Sequence, residues 1–302
     1  MLPHEHKYAA PWHKIVSVLA IAAISIIGLE GLLYINNLYQ PVLYVQLSAI
    51  IYLFLLLWLV FIFDLHYKTP LGPGLNMTQA LKHRFRYMLR WEHFRHFQNY
   101  MILPGIIYWG SIIVIGINFG HGKLQQYVVI ASGLALIGCY SLFKEIFHNK
   151  ETPISSRSFL VLSYAKLYAA WLIYSAALGI VWFYCFPANV FYLVVYLVTF
   201  MLLYQALFQF AAVNYRNILF TAVISLVVAA ASIFVYKFWN VNYFSAGLFL
   251  TAIYNLFWGL MYHSAKKTLR REVVLEQLAI FTLIVVMVFG VTDFHARILR
   301  CV

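Results

Sequence analysis

Residues 15–35, IVSVLAIAAISIIGLEGLLYI, form an apolar run interrupted by one carboxylate, Glu30, and this run decides what kind of protein the chain is. At ~1.5 Å per residue a helix of this length crosses the ~30 Å hydrocarbon layer of a bilayer. It is too long for the apolar region of a cleaved signal peptide, so the preceding MLPHEHKYAAPWHK reads as the cytoplasmic flank of a retained first span.

The same ruler finds eight more such segments, near residues 41–63, 101–119, 126–147, 159–185, 189–212, 217–238, 243–262 and 274–292. The expected fold is therefore an all-α transmembrane bundle of about nine spans, a single integral membrane domain over 1–302. Composition agrees: 64% of the 302 residues are hydrophobic and 10% charged, against roughly 25% charged in a soluble domain. No segment outside the spans is long or polar enough for a separate soluble domain. Very short links at 36–40, 187–188 and 215–216 force antiparallel neighbours, which predicts hairpins of spans 1/2, 5/6 and 6/7.

A net charge of +12 would suggest nucleic acid in a soluble protein, but here the placement of the 21 Lys and Arg residues decides. With the N-terminus inside, sixteen fall on the inner side: Lys7, Lys14, Lys68, Lys82, Arg84, Arg86, Arg90, Arg95, Lys144, Lys150, Arg157, Arg216, Lys266, Lys267, Arg270 and Arg271. Four fall outside (Lys123, Lys237, Arg297, Arg300), and Lys166 lies within a span. That bias sets the N-terminus in the cytoplasm and the C-terminus outside, in what reads as a bacterial-type cytoplasmic membrane. Of the three cysteines, Cys185 and Cys301 then face the oxidising side and could pair, whereas Cys139 does not.

The inner loop between spans 2 and 3 is the most distinctive segment. Near 76–98, Met77, Leu81, Phe85 and Met88 recur at helical spacing opposite Lys82, Arg86, Arg90 and His93, which describes an amphipathic helix with a basic face. Lys82, Arg84, Arg86, Arg90 and Arg95 are the candidate contacts for anionic lipid or an acidic partner protein. Nucleic acid does not fit cations set against a membrane.

A metal is the sharper alternative on that side. Glu92, His93 and His96 share a helical face, and Glu145 with His148 makes a Glu-x-x-His pair. Di-iron carboxylate bundles use that spacing twice. With Asp64, His66 and His263 also at inner span ends, these N/O ligands could hold iron or zinc. Only one such pair is present, and histidines lying beside lipid phosphates are the plainer account. On the outer side, Asn118, His121, Asp293 and His295 raise the same choice between a small site and interface polarity.

Within the hydrocarbon, ionisable residues count as functional candidates because leaving them unpaired costs several kcal/mol. Glu30 and Lys166 sit at different depths, so a direct pair is not expected, and Glu30 is matched in depth by Gln46 across the first hairpin. Lys166 is level with Asn255 and close to Gln205, and these could bound an inward-facing cavity unless Lys166 snorkels to the headgroups. Small residues, Gly116 and Gly120, Ala131 and Ala135, and Ala229 to Ser232, are expected at close helix contacts. Tyr164, Tyr168, Tyr204 and Tyr254 are expected to bond neighbouring helices or to line a lipid groove.

Three functions fit: a membrane subunit or scaffold engaging lipid or partner through its basic loop, a transporter or flippase with a cavity at Lys166, or an enzyme acting on a lipid or lipid-linked substrate at the inner surface. No internal repeat and no interior span proline is apparent, which counts against the second.

Overall fold

The computed structural model describes residues 11–38, 40–67, 76, 78–79, 82–83, 86, 91–118, 122–148, 156–209 and 213–294. The described elements are helical, with no strand among the described residues. The first rod comprises α1 (Pro11–Ala22), a π-helical turn (Ala23–Ile27) and α2 (Gly28–Asn37). It is followed by α3 (Pro41–Tyr67), α4 (Trp91–Ile117), α5 (Gly122–His148), α6 (Ser156–Phe183), α7 (Ala188–Gln209), α8 (Tyr215–Phe238), α9 (Tyr243–Ala265) and α10 (Arg271–Val291). Eight of these rods carry a stretch long and apolar enough to cross a membrane, and α4 contributes the shorter Met101–Ile117.

Local chemistry sets the helix ends. Pro41 opens α3, where its missing N–H would have been unpaired in any case. Asn214 and Asn242 cap α8 and α9 by accepting from the N–H of Asn217 (2.7 Å) and Phe244 (2.8 Å). The end of α9 is a Schellman motif: Thr268 N–H donates to the His263 carbonyl and Lys267 N–H to that of Ser264, with Lys267 at φ 57. Glycine is the usual residue at that position.

α6 is the central helix, with 72% of its span buried, and α10 is the peripheral one, with 6%. α4 and α9 flank α6, and α10 packs on α9. The expected hairpins of the first rod with α3, of α6 with α7 and of α7 with α8 are present. Exposed Leu19, Val42, Leu134, Leu193, Leu226 and Val286 coat the exterior while Ser48, Ser111, Ser132, Gln205 and Lys166 lie inside. This arrangement suits lipid as the solvent.

The close approaches occur at glycines other than those expected. A Cβ on Gly247 (α9) would lie 2.1 Å from Ser175 Oγ and 2.9 Å from its backbone N. One on Gly110 (α4) would meet Leu172 at 3.1 Å, and one on Gly133 (α5) would meet Ile26 of the π turn at 2.7 Å. Gly116 has only ordinary contact with Tyr44, Ala131 is exposed, and Gly120 lies outside the described residues. The expected contact at Ala229 and Ser232 is buried. Which small residue matters depends on helix rotation, and spacing alone does not fix rotation.

Two boundaries also differ. The break expected near residue 98 is absent: α4 runs unbroken from Trp91, so 91–98 belongs to the same rod as 101–117. Pro104 is interior to α4, which corrects the reading that no span holds an interior proline. Its lack of an N–H frees the carbonyl one turn earlier. Upstream, Asn76 N–H donates to Gln79 Oε1 (3.3 Å), the reciprocal half of a capping box, and Thr78, Gln79, Lys82, His83 and Arg86 are helical. The other positions of the expected helix up to residue 90 lie outside the described residues. Cys185, in the α6–α7 turn, is disulfide-bonded and Cys139 is free and buried, while Cys301 lies outside the described residues.

Candidate functional site

Lys166 projects from the central helix into the packed interior and is 1% exposed. Its ammonium donates to Gln209 Oε1 (2.5 Å) on α7 and stands 5.1 Å above the Trp258 ring of α9. The Cys139 thiol of α5 lies within electrostatic range. Farther along the same α6–α7 interface, Tyr174 and Thr199 hydrogen bond at 2.6 Å, in the antiparallel order that the hairpin requires. Gln205 precedes Gln209 by one turn on the same face of α7 and is 2% exposed. A neutral amide and an indole face thus replace bulk water around a charge that is costly in hydrocarbon.

This geometry corrects two expectations. Lys166 does not snorkel, because Gln209 and Trp258 close over it. Nor do Lys166, Gln205 and Asn255 bound one cavity, since Asn255 lies on the far side of Trp258, in a groove between α6, α9 and α10. Trp258 is the partition, for its ring lies under Lys166 and also lines that groove.

The groove consists of three cavities that share residues. The first, ≈ 260 Å³, lies beside the α9–α10 turn and includes Ser163, Asn255, Trp258, Tyr262, His263 and Gln277. Through Leu167 and Asn255 it joins a second, apolar one of ≈ 280 Å³ beside Trp171, Thr251 and Ile284. Leu248 and Ile284 continue it into a third of ≈ 560 Å³ that ends at Asn242, Ser245 and Asp293.

Glu30 accepts a hydrogen bond from Gln126 Nε2 of α5, whereas Gln46, its expected partner, lies exposed on α3. The two helices of the first hairpin match in depth but not in rotation, which turns Glu30 toward α5. A set of polar residues closes the end of α4. Tyr44 donates to the Ile112 carbonyl (2.6 Å), Asn118 Nδ2 to Val114 (2.7 Å), and both Gln125 (2.9 Å) and Asn36 (3.2 Å) to Ile115. Asn118 Oδ1 in turn accepts from Tyr243 (2.5 Å). These donors satisfy carbonyls near a helix terminus. His121 and His295 lie outside the described residues.

Of the tyrosines, Tyr168 bonds Ser132 Oγ (2.7 Å), which Ser111 also contacts (2.6 Å), linking α4, α5 and α6. Tyr164 is 64% exposed and lines the groove, Tyr204 stacks on Phe200, and Tyr254 is fully buried. Among the described residues, no three His, Cys, Asp or Glu side chains gather as a metal site. The side chains of Glu92, His93, His96, Glu145, His148 and Arg95, and all of Arg84 and Arg90, lie outside the described residues, whereas Lys82 and Arg86 are exposed. Gln209, Trp258, Gln126 and Gln277 were not singled out from sequence. A glutamine four residues after Gln205 on an apolar helix is the one available signal for Gln209.

Long apolar helices with polar side chains turned inward define a polytopic α-helical integral membrane protein. Within that class the chain belongs to the DUF5656 family, described as a protein of unknown function, whose model matches residues 74–291. The match begins after α3 and ends with α10. No curated protein and no solved structure matches.

Proposed function

We propose that this protein is a nine-span membrane subunit or scaffold, N-terminus in the cytoplasm and C-terminus outside, which holds anionic lipid or an acidic partner through the basic segment between α3 and α4. The observation that carries this reading is the closed interior. Lys166 is sealed by Gln209 and Trp258 and lines none of the three cavities. Surfaces then remain for engaging partners, and Lys82 and Arg86 are exposed on a helix whose start is capped.

The excess of cations at the ends joined by the α3–α4, α7–α8 and α9–α10 links supports the orientation. So does a disulfide at Cys185, which lies at the opposite ends, where an oxidising compartment would be. Transport through a cavity at Lys166 is disfavoured by the same closure. Catalysis by Glu92, His93, His96, Glu145 and His148 would require those side chains to converge on iron or zinc, and metal analysis of the purified protein addresses it directly.

The test joins topology with charge. Single cysteines at positions 82 and 123 should label from opposite sides of the membrane, with 82 protected in intact cells. Reversing Lys82, Arg84, Arg86 and Arg90 to Glu should abolish retention of anionic lipid or partner on that segment. Labelling of position 82 from outside, or an unchanged set of co-purifying molecules after charge reversal, overturns the proposal.

A further inference from the structure

The groove between α6, α9 and α10 is polar at both ends, with Asn242, Ser245 and Asp293 at one, and apolar between. Its end at the α9–α10 turn carries Ser163, Asn255, Gln277 and His263, and beyond Leu167 the walls become apolar. From Tyr262 to Leu248 the lining extends roughly 21 Å along α9 at the helical rise, somewhat more than one leaflet of a ~30 Å hydrocarbon layer. The end at the α9–α10 turn is also the cationic end. Lys266, Lys267, Arg270 and Arg271 are all exposed in the turn, against Glu272 and Glu276 in the first turns of α10.

Lys266 lies over the rim itself. Its ammonium donates to the Tyr262 hydroxyl and stands 4.4 Å from the Tyr262 ring centroid and 5.9 Å from that of Phe159, two groove residues. Those partners are neutral, so the charge remains available to an anion. Arg270, at the N-cap of α10, makes no side-chain cap. Lys267 occupies a left-handed position where glycine would fit more easily.

We infer that this groove is a binding site for one anionic glycerophospholipid, its phosphate held at the α9–α10 turn and an acyl chain lying past Leu167, Leu248 and Ile284. A second copy of the chain or a partner helix would not need cations at one end alone. The site uses no residue of the segment between α3 and α4, so it stands or falls separately from the proposed function.

Native mass spectrometry of the full-length protein in detergent, titrated with phosphatidylglycerol or phosphatidylcholine of identical chains, tests it. One phosphatidylglycerol should bind with a preference of about tenfold, the scale expected when one or two surface cations contribute. Neutralising Lys266, Lys267, Arg270 and Arg271 to Gln should remove the preference but leave lipid bound. Leu248→Trp, at an exposed position shared by two of the cavities, should remove both adducts, while Leu226→Trp on the exposed face of α8 should change nothing. Phosphatidylglycerol with a photoactivatable acyl chain should label α9 and α10 in the unmodified protein, which requires no variant to fold.

Binding that survives Leu248→Trp, a preference unaffected by neutralisation, labelling confined to other helices, displacement by inorganic phosphate alone, or a dimer in place of the lipid adduct would each overturn the inference. Loss of the adduct on reversing Lys82 and Arg86 instead would place the lipid at the other segment. That result would leave the proposed function intact and remove this one.

Discussion

Replacing Gly247 with alanine should destabilise the bundle, although alanine is the better helix former. The new Cβ would lie 2.1 Å from Ser175 Oγ, 2.9 Å from Ser175 N and 3.1 Å from its Cα. Ser175 Oγ can rotate away, but the other two atoms are backbone, and carbon pairs pack best at ~3.5–4.0 Å. α6 and α9 would therefore have to separate by roughly half an ångström along their contact, an overpacking cost of about 1–3 kcal/mol. Against this stands a gain of about 1 kcal/mol from replacing an interior helical glycine. The net expectation is a loss of about 0–2 kcal/mol, or up to roughly 6 °C in thermal midpoint for a chain of this size.

Gly31→Ala is the internal control, because nothing lies within 4 Å of its Cβ position. It receives the propensity gain alone and should melt at or slightly above the parent. Adding Ser175→Ala to Gly247→Ala should restore only part of the loss, since the backbone contacts persist. Intrinsic tryptophan fluorescence on heating in one detergent, at one scan rate, is the assay, the scan rate being fixed because unfolding of such proteins is often irreversible. A Gly247→Ala protein as stable as the Gly31→Ala protein would refute the close approach of α6 and α9, and with it the groove wall that α9 supplies.

Lys166→Met should fold and gain about 1–2 kcal/mol, because it removes a buried charge while keeping the shape, whereas Lys166→Glu should fail to accumulate as folded protein; monodispersity in detergent and melting temperature distinguish these outcomes. Gln126→Leu should cost about 1–2 kcal/mol by leaving Glu30 without its donor, and Glu30→Leu in the same chain should recover most of it, as a double-mutant cycle by thermal melting would register. Lys267→Gly should stabilise by about 1 kcal/mol by relieving the left-handed position, and Lys267→Val should lower the melting temperature.

The sequence by itself determined the apolar segments that become helices. Apolar runs such as 15–35 and 217–238 are long on the scale of a bilayer, and in lipid each backbone group must bond within its own helix, so composition and length suffice. The Asn caps of α8 and α9 are set locally for a similar reason, being hydrogen bonds within a few residues, although neither Asn214 nor Asn242 was singled out from the sequence. Glu30 was expected to meet Gln46, and it meets Gln126 of α5 instead.

Which glutamine it meets was decided by rotation about the helix axis and by the order in which helices pack, and neither is written in hydropathy. The same two variables turned Asn255 toward α10 instead of Lys166, placed Gln209 and Trp258 around the ammonium, and made Gly247 rather than Gly116 the point of closest approach. On nearly uniform apolar rods the hydrophobic pattern carries little directional information. Tertiary packing, through small residues and a few polar contacts, therefore chose the faces, and with them the closed interior and the open groove.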